Sequence, residues 1–170
     1  MSMYQKLLVP VDGSPTATRG LDEAIRVAKL SGGAIRVVHV LDPHVAPGLE
    51  FCTADVLGVL QQAGAEIVGA AKARVEASGV SVETQVAETL SGTVADIVVD
   101  QARQWGADLI VIGTHGRRGV RRLMIGSDAE RIVRMASVPV LLVRDQPVEA
   151  AHSAAIPAIA TLPVGMVALE

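Results

Sequence analysis

Asp108-Leu-Ile-Val-Ile-Gly-Thr-His-Gly116, followed after nine further residues by Gly126-Ser127, joins an apolar run to a glycine loop and then to the start of a helix. Asp108 to Ile112 is β-branched and uninterrupted up to a glycine, the signature of a strand buried on both faces. Ser127-Asp-Ala-Glu130 has the spacing of a capping box, and Ala129, Ile132, Val133 and Ala136 then fall on one helical face. A helix is therefore predicted to begin just after Gly126, with the free N–H groups of its first turn aimed back at the loop. Gly113, Gly116 and Gly126 can take positive φ and let backbone amides approach an anion without a Cβ in the way. The helix start adds roughly half a positive charge. Between the glycines lies Arg117-Arg-Gly-Val-Arg-Arg122, four planar guanidinium groups able to fold over a polyphosphate. Each feature alone also fits an ordinary α/β loop with a solvated arginine run. Their joint spacing makes phosphate and nucleotide binding the leading expectation.

Working outward, strand and helix patterns alternate along the chain, which predicts a mostly parallel sheet covered on both faces. Leu7 to Val11 reads as the first strand. Ser14-Pro15 supplies an N-cap and a first-turn proline, after which Leu21, Ala24, Ile25 and Ala28 recur at helical spacing until Gly32-Gly33. Ala34 to Val40 is the second strand. Leu41 to Thr53, with Pro43, Pro47 and Gly48, reads either as a site rim or lid or as a tolerated surface excursion. A helix over Ala54 to Ser78 turns Ile67, Ala71 and Val75 inward. Val80, Val82 and Val86 then alternate with polar residues, the pattern of a half-exposed edge strand. Ser91 is expected to cap a third helix carrying Val94, Ile97 and Val98 and ended by Gly106. Val138 to Val143 is the fifth strand.

Right-handed crossovers restrict how five such strands can be wound. The expected fold is a doubly wound five-stranded parallel sheet of order 3-2-1-4-5 with helices on both faces. That order reverses the winding between strands one and four and brings Pro10-Val-Asp12-Gly-Ser14 beside the glycine loop. Asp12 could accept hydrogen bonds from an adenine amino group or a ribose hydroxyl, or could simply make an Asp-Gly turn into a capped helix.

A chain of 170 residues that is 50% hydrophobic suits one domain with a well-buried core. The net charge of −3 argues against a nucleic-acid partner, and three aromatic residues are too few for base-stacking platforms. A single cysteine, Cys52, makes no intrachain disulfide and suits a reducing compartment. The N-terminus lacks the features of a secretory signal, so a cytoplasmic location is expected. Pro157 and Pro163 interrupt the apolar tail, and its uninterrupted stretches fall under ~18 residues, so no membrane span is expected.

These segments resemble the universal stress protein family. The resemblance is carried by Pro10-Val-Asp12-Gly-Ser14, Val38-His-Val40, Gly113-x-x-Gly116-x9-Gly126-Ser127 and Ser137-Val-Pro-Val140-Leu-Leu-Val143, and it spans about residues 4 to 145. The long glycine pattern marks the family's ATP-binding branch. The resemblance implies that Asp12 and the Val40 backbone meet adenine beside Pro10 and Val11, with Ile112 and Gly113 on the ribose side. It implies that His115, Gly116, Arg117, Gly126, Ser127, Asp128 and Ala129 surround the phosphates, and that Mg2+ or Mn2+ accompanies the ATP. It further implies a homodimer in which the Val140 to Val143 strand pairs with its copy, closing an apolar edge. Residues 1–145 would form the nucleotide-binding domain. The tail, 146–170, extends past the family's usual end and reads as extended packing across the dimer or as a disordered extension.

Two functional classes follow. One is an ATP-binding stress-response or sensor module. The other is a slow ATPase or autophosphorylating enzyme, in which His115, Thr114 or Ser127 would take part, or a binder of another adenine nucleotide. The pattern shows no nucleophile fixed by a second residue, which favours the binding module. No G-x-x-x-x-G-K-S/T occurs and no G-x-G-x-x-G follows strand one, so P-loop and dinucleotide folds are excluded. No His or Cys pair has metal-ligand spacing. His39, on a buried strand, reads as a satisfied core residue.

Overall fold

The computed structural model describes residues 3–42, 54–89, 92–114 and 125–144. Its elements follow in the order β1 (Lys6–Pro10), α1 (Pro15–Ser31), β2 (Ala34–Leu41), α2 (Ala54–Glu76), β3 (Val82–Glu88), α3 (Val94–Trp105), β4 (Leu109–Gly113), α4 (Ser127–Met135) and β5 (Val140–Val143). The strands form one sheet in the order β3-β2-β1-β4-β5, and every pairing is parallel. The expected winding is therefore observed, with its reversal between β1 and β4.

Alternate side chains of the central strands feed two cores. Leu7, Val9, Ile35, Val37, Leu109 and Val111 pack with Leu21, Ala24 and Ile25 of α1 and Ala71 and Val75 of α2. Leu8, Val38, Ile110 and Ile112 pack on the opposite face with Val98 and Val99 of α3 and Ala129 and Ile132 of α4. A strand buried on both faces has to be apolar throughout, and β4 is fully buried along its length. β3 lies at one edge and is half-exposed, as its sequence predicts: Val82, Val86 and Ala87 are half-buried and its other residues are exposed.

The helix ends follow local chemistry. Ser14 is the N-cap of α1 and its hydroxyl accepts from the Ala17 amide at 3.1 Å, while Gly32 closes the helix in the left-handed region at φ 70°. α3 starts differently from expectation. Its cap is Thr93, with Asp96 completing a capping box, and Ser91 falls outside the described residues. α4 also departs from the sequence reading. Its N-cap is Gly126, which makes no side-chain cap bond, so Ser127 is the first helical residue and the Ser127–Glu130 capping box does not form. On α4, Ala129 and Ile132 are buried as predicted, but Val133 is 46% exposed. The expected loop at 43–53, the arginine run 117–122 and the tail 146–170 lie outside the described residues. Among the described residues no helix is long and apolar enough to cross a membrane.

Candidate functional site

The C-terminal ends of β1, β2 and β4 converge where the winding reverses. Pro10 closes β1 opposite Val38, and the Val11 amide donates to the Val38 carbonyl at 2.8 Å. Asp12 follows, half-buried, and its Oδ1 accepts from the Ser14 amide at 2.9 Å. That is the Asx turn anticipated as one of its two readings, and Gly13 completes it at φ 80°. Val40 lies near the end of β2, half-buried, in register with Ala87 of β3.

Across the reversal, Leu7 and Leu8 of β1 pair with Leu109 and Ile110 of β4, so Ile112 and Gly113 stand level with the end of β1. Thr114 is almost wholly buried. Its amide donates to the Val143 carbonyl at 2.8 Å, and its carbonyl accepts from the Gly126 amide at 2.7 Å. This second bond anchors the start of α4 at the end of β4. The first-turn amides of Ser127, Asp128 and Ala129 therefore begin beside the strand ends, without the side-chain cap that α1 and α3 possess. Such amides, with the helix dipole behind them, favour an anion.

Sequence reasoning placed Pro10, Val11, Asp12, Val40, Ile112, Gly113, Gly126, Ser127, Asp128 and Ala129 in one site. All ten lie at strand ends or at the α4 start on the same end of the sheet. His115, Gly116 and Arg117 fall outside the described residues. One reason given for the glycines is corrected. Neither Gly113 nor Gly126 has positive φ, and Gly126 has the extended values φ −61° and ψ 151° open to any residue. Gly113 is needed for another purpose. A Cβ there would lie 2.7 Å from the Thr16 carbonyl oxygen, so the glycine lets α1 lie against the end of β4. Gly20 complements it, since its own Cβ would reach Gly113 N at 3.2 Å.

The buried threonines at this end of the molecule, Thr16, Thr89 and Thr114, carried little local signal in the sequence. The carboxyls held below their ordinary range belong to other pairings: Glu83 through the Arg36 guanidinium, and Asp96 through the amide and hydroxyl of Thr93 in the capping box of α3. A cavity of about 260 Å³, lined by Val99, Ala102, Arg103, Gly106, Ala107 and Val138, lies at the other ends of β4 and β5 and contains none of the predicted site residues. Among the described residues no cluster of His, Cys, Asp and Glu could hold a metal ion unaided.

A doubly wound parallel sheet of order β3-β2-β1-β4-β5, with its winding reversed between β1 and β4, defines an α/β protein. The profile described as the Universal stress protein family matches residues 3–144. The chain belongs to the universal stress protein family. A universal stress protein from Methanocaldococcus jannaschii is 34% identical over 145 residues, covering 84% of each chain. Among solved structures, a member of the family from Burkholderia pseudomallei is 33% identical with a TM-score of 0.68, covering 84% of this chain and 97% of its own. A universal stress protein in complex with cAMP is 25% identical with a TM-score of 0.61, covering 85% of this chain and 100% of its own.

Proposed function

We propose that this chain is an ATP-binding member of the family, a nucleotide-dependent stress-response or sensor module. The observation that carries the reading is the uncapped start of α4, fastened to the end of β4 by the Gly126–Thr114 bond beside the Asp12 turn. An adenine nucleotide has one end for each: a base and ribose for the Asp12 side, and phosphates for the amides of Ser127, Asp128 and Ala129. The related structure in complex with cAMP supports an adenine-containing ligand. Gly113 and Ile112 would flank the ribose, and His115, Gly116 and Arg117 would complete the phosphate side. A Mg2+ or Mn2+ ion would be held chiefly by the phosphates. A homodimer through Val140–Val143 fits the half-buried apolar edge of β5.

Calorimetric titration with ATP and Mg2+, following mass spectrometry of any nucleotide released from the natively purified protein, tests this. Gly126→Val is the matched variant. The backbone at Gly126 is extended, a conformation a β-branched residue adopts, and the added side chain would sit at the N-cap of α4. Lost ATP binding in a folded Gly126→Val protein is expected. A wild-type protein that is empty and takes up no adenine nucleotide would refute the reading.

A further inference from the structure

We propose that His39 is a positioning residue for the adenine end of the crevice, an inference that rests on the nucleotide reading above. Its imidazole fixes the Val11 carbonyl and thereby the peptide that leads into Asp12.

On β2, Ile35, Val37 and His39 point to the same face, two valine-like positions followed by an imidazole. His39 is 6% exposed, and burying a ring with two polar nitrogens is costly unless they find partners. Nδ1 lies 2.7 Å from the Val11 carbonyl oxygen. A carbonyl only accepts, so Nδ1 carries the proton and donates. The Val11 amide meanwhile donates to the Val38 carbonyl. Both backbone polar groups of Val11 are thus held by consecutive residues of β2.

That arrangement reaches Asp12 through the geometry of one peptide unit. In a planar trans peptide the C=O and the following N–H point in opposite directions. With the Val11 carbonyl drawn toward His39, the Asp12 N–H is turned away from it. The Asp12 carboxylate is set independently by the Ser14 amide. The ring is confined from its other side by α2, where a Cβ on Gly64 would lie 2.9 Å from His39 Cδ2 and 2.9 Å from Leu41 Cδ2. Gly64 therefore gives the imidazole its place, and the sequence Gly64, His39, Val11, Asp12 runs from α2 to the crevice.

Three variants separate positioning from general packing. His39→Leu removes the donor, His39→Asn keeps an N–H close to the place of Nδ1, and Gly64→Ala pushes the ring while leaving its chemistry intact. Each is titrated with adenosine, ATP with Mg2+ and inorganic triphosphate, and amide exchange is followed residue by residue. For His39→Leu, affinity for adenosine and for ATP falls by one common factor of about tenfold, consistent with leaving a buried carbonyl unpaired. Triphosphate affinity is unchanged. Exchange quickens at Asp12, Gly13 and Ser14 while β4 keeps its protection, and His39→Asn restores both readouts. Gly64→Ala reproduces the His39→Leu pattern and serves as the test if His39→Leu does not fold. Unchanged adenosine affinity with unchanged exchange at Asp12 would overturn the proposal, as would exchange that quickens equally across the sheet. Should the wild-type protein bind neither adenosine nor ATP, the nucleotide reading fails by itself. The exchange pattern then still decides whether His39 fixes the Asp12 peptide.

Discussion

Gly113→Ala is the substitution whose cost the geometry sets most directly. An added Cβ would stand 2.7 Å from the Thr16 carbonyl oxygen, 2.8 Å from the Thr16 carbonyl carbon and 3.1 Å from the Ala17 nitrogen. Attractive contact between such atoms is optimal only at roughly 3.5–4.0 Å. All three obstacles are helix backbone, so no side chain can swing aside and α1 must withdraw from β4. Overpacking of this kind costs about 1–3 kcal/mol. For a chain of this size that lowers Tm by about 3–10 °C. Gly69→Ala is the internal control. Gly69 is exposed within α2 and a Cβ there meets nothing within 4 Å, so the exchange raises stability by about 0.5–1 kcal/mol through helix propensity. Both proteins are melted by circular dichroism and by scanning calorimetry in the absence of nucleotide. A Gly113→Ala protein that melts together with the parent would refute the argument that this glycine exists for the α1–β4 contact.

Arg117→Ala should weaken ATP more than adenosine in parallel titrations, and equal losses would show that this side chain does not read phosphate. Ile132→Ala empties a side chain with 0% exposure beneath α4, and should cost about 2–5 kcal/mol in a denaturant titration. The Asp96 carboxyl is held below its ordinary value, chiefly by the Thr93 amide. Its contribution to stability is therefore complete above the unfolded-state value near 3.8 and is lost as pH falls through the lower folded-state value. Asp96→Asn should flatten the stability profile below about pH 4 and leave the profile near neutrality parallel to the parent's.

The alternation of elements, the sheet order and the edge position of β3 were legible because they follow from hydrophobic period and crossover handedness. Ser14-Pro15 and Gly32 were equally plain, since each satisfies a local backbone need. Thr93 was missed in favour of Ser91 because both are good caps, and only the Asp three residues after Thr93 distinguishes them. At α4 the Ser-x-x-Glu signature was present, but the Gly126 amide is engaged by the distant Thr114 carbonyl, and the helix starts one residue earlier than that signature implies. The reason for Gly113 lay in α1, nearly a hundred residues away in sequence, where no local pattern could reveal it. The candidate site was legible as a set of segments. The link from His39 to Val11 was not, because it depends on the register of β2 against β1.

The bare start of α4 also ranks the helices by how readily they open. α1 and α3 close their first turns with their own hydroxyls, whereas α4 spans nine residues, anchors through Ala129 and Ile132, and starts at a glycine that makes no side-chain cap bond. So short a helix has little persistence of its own, and its order comes from packing and from whatever meets its first-turn amides. An anion at that end would tighten α4 selectively and leave the sheet as it was. The molecule would then register occupancy as the crispness of one helix beside β5, with no domain having to move.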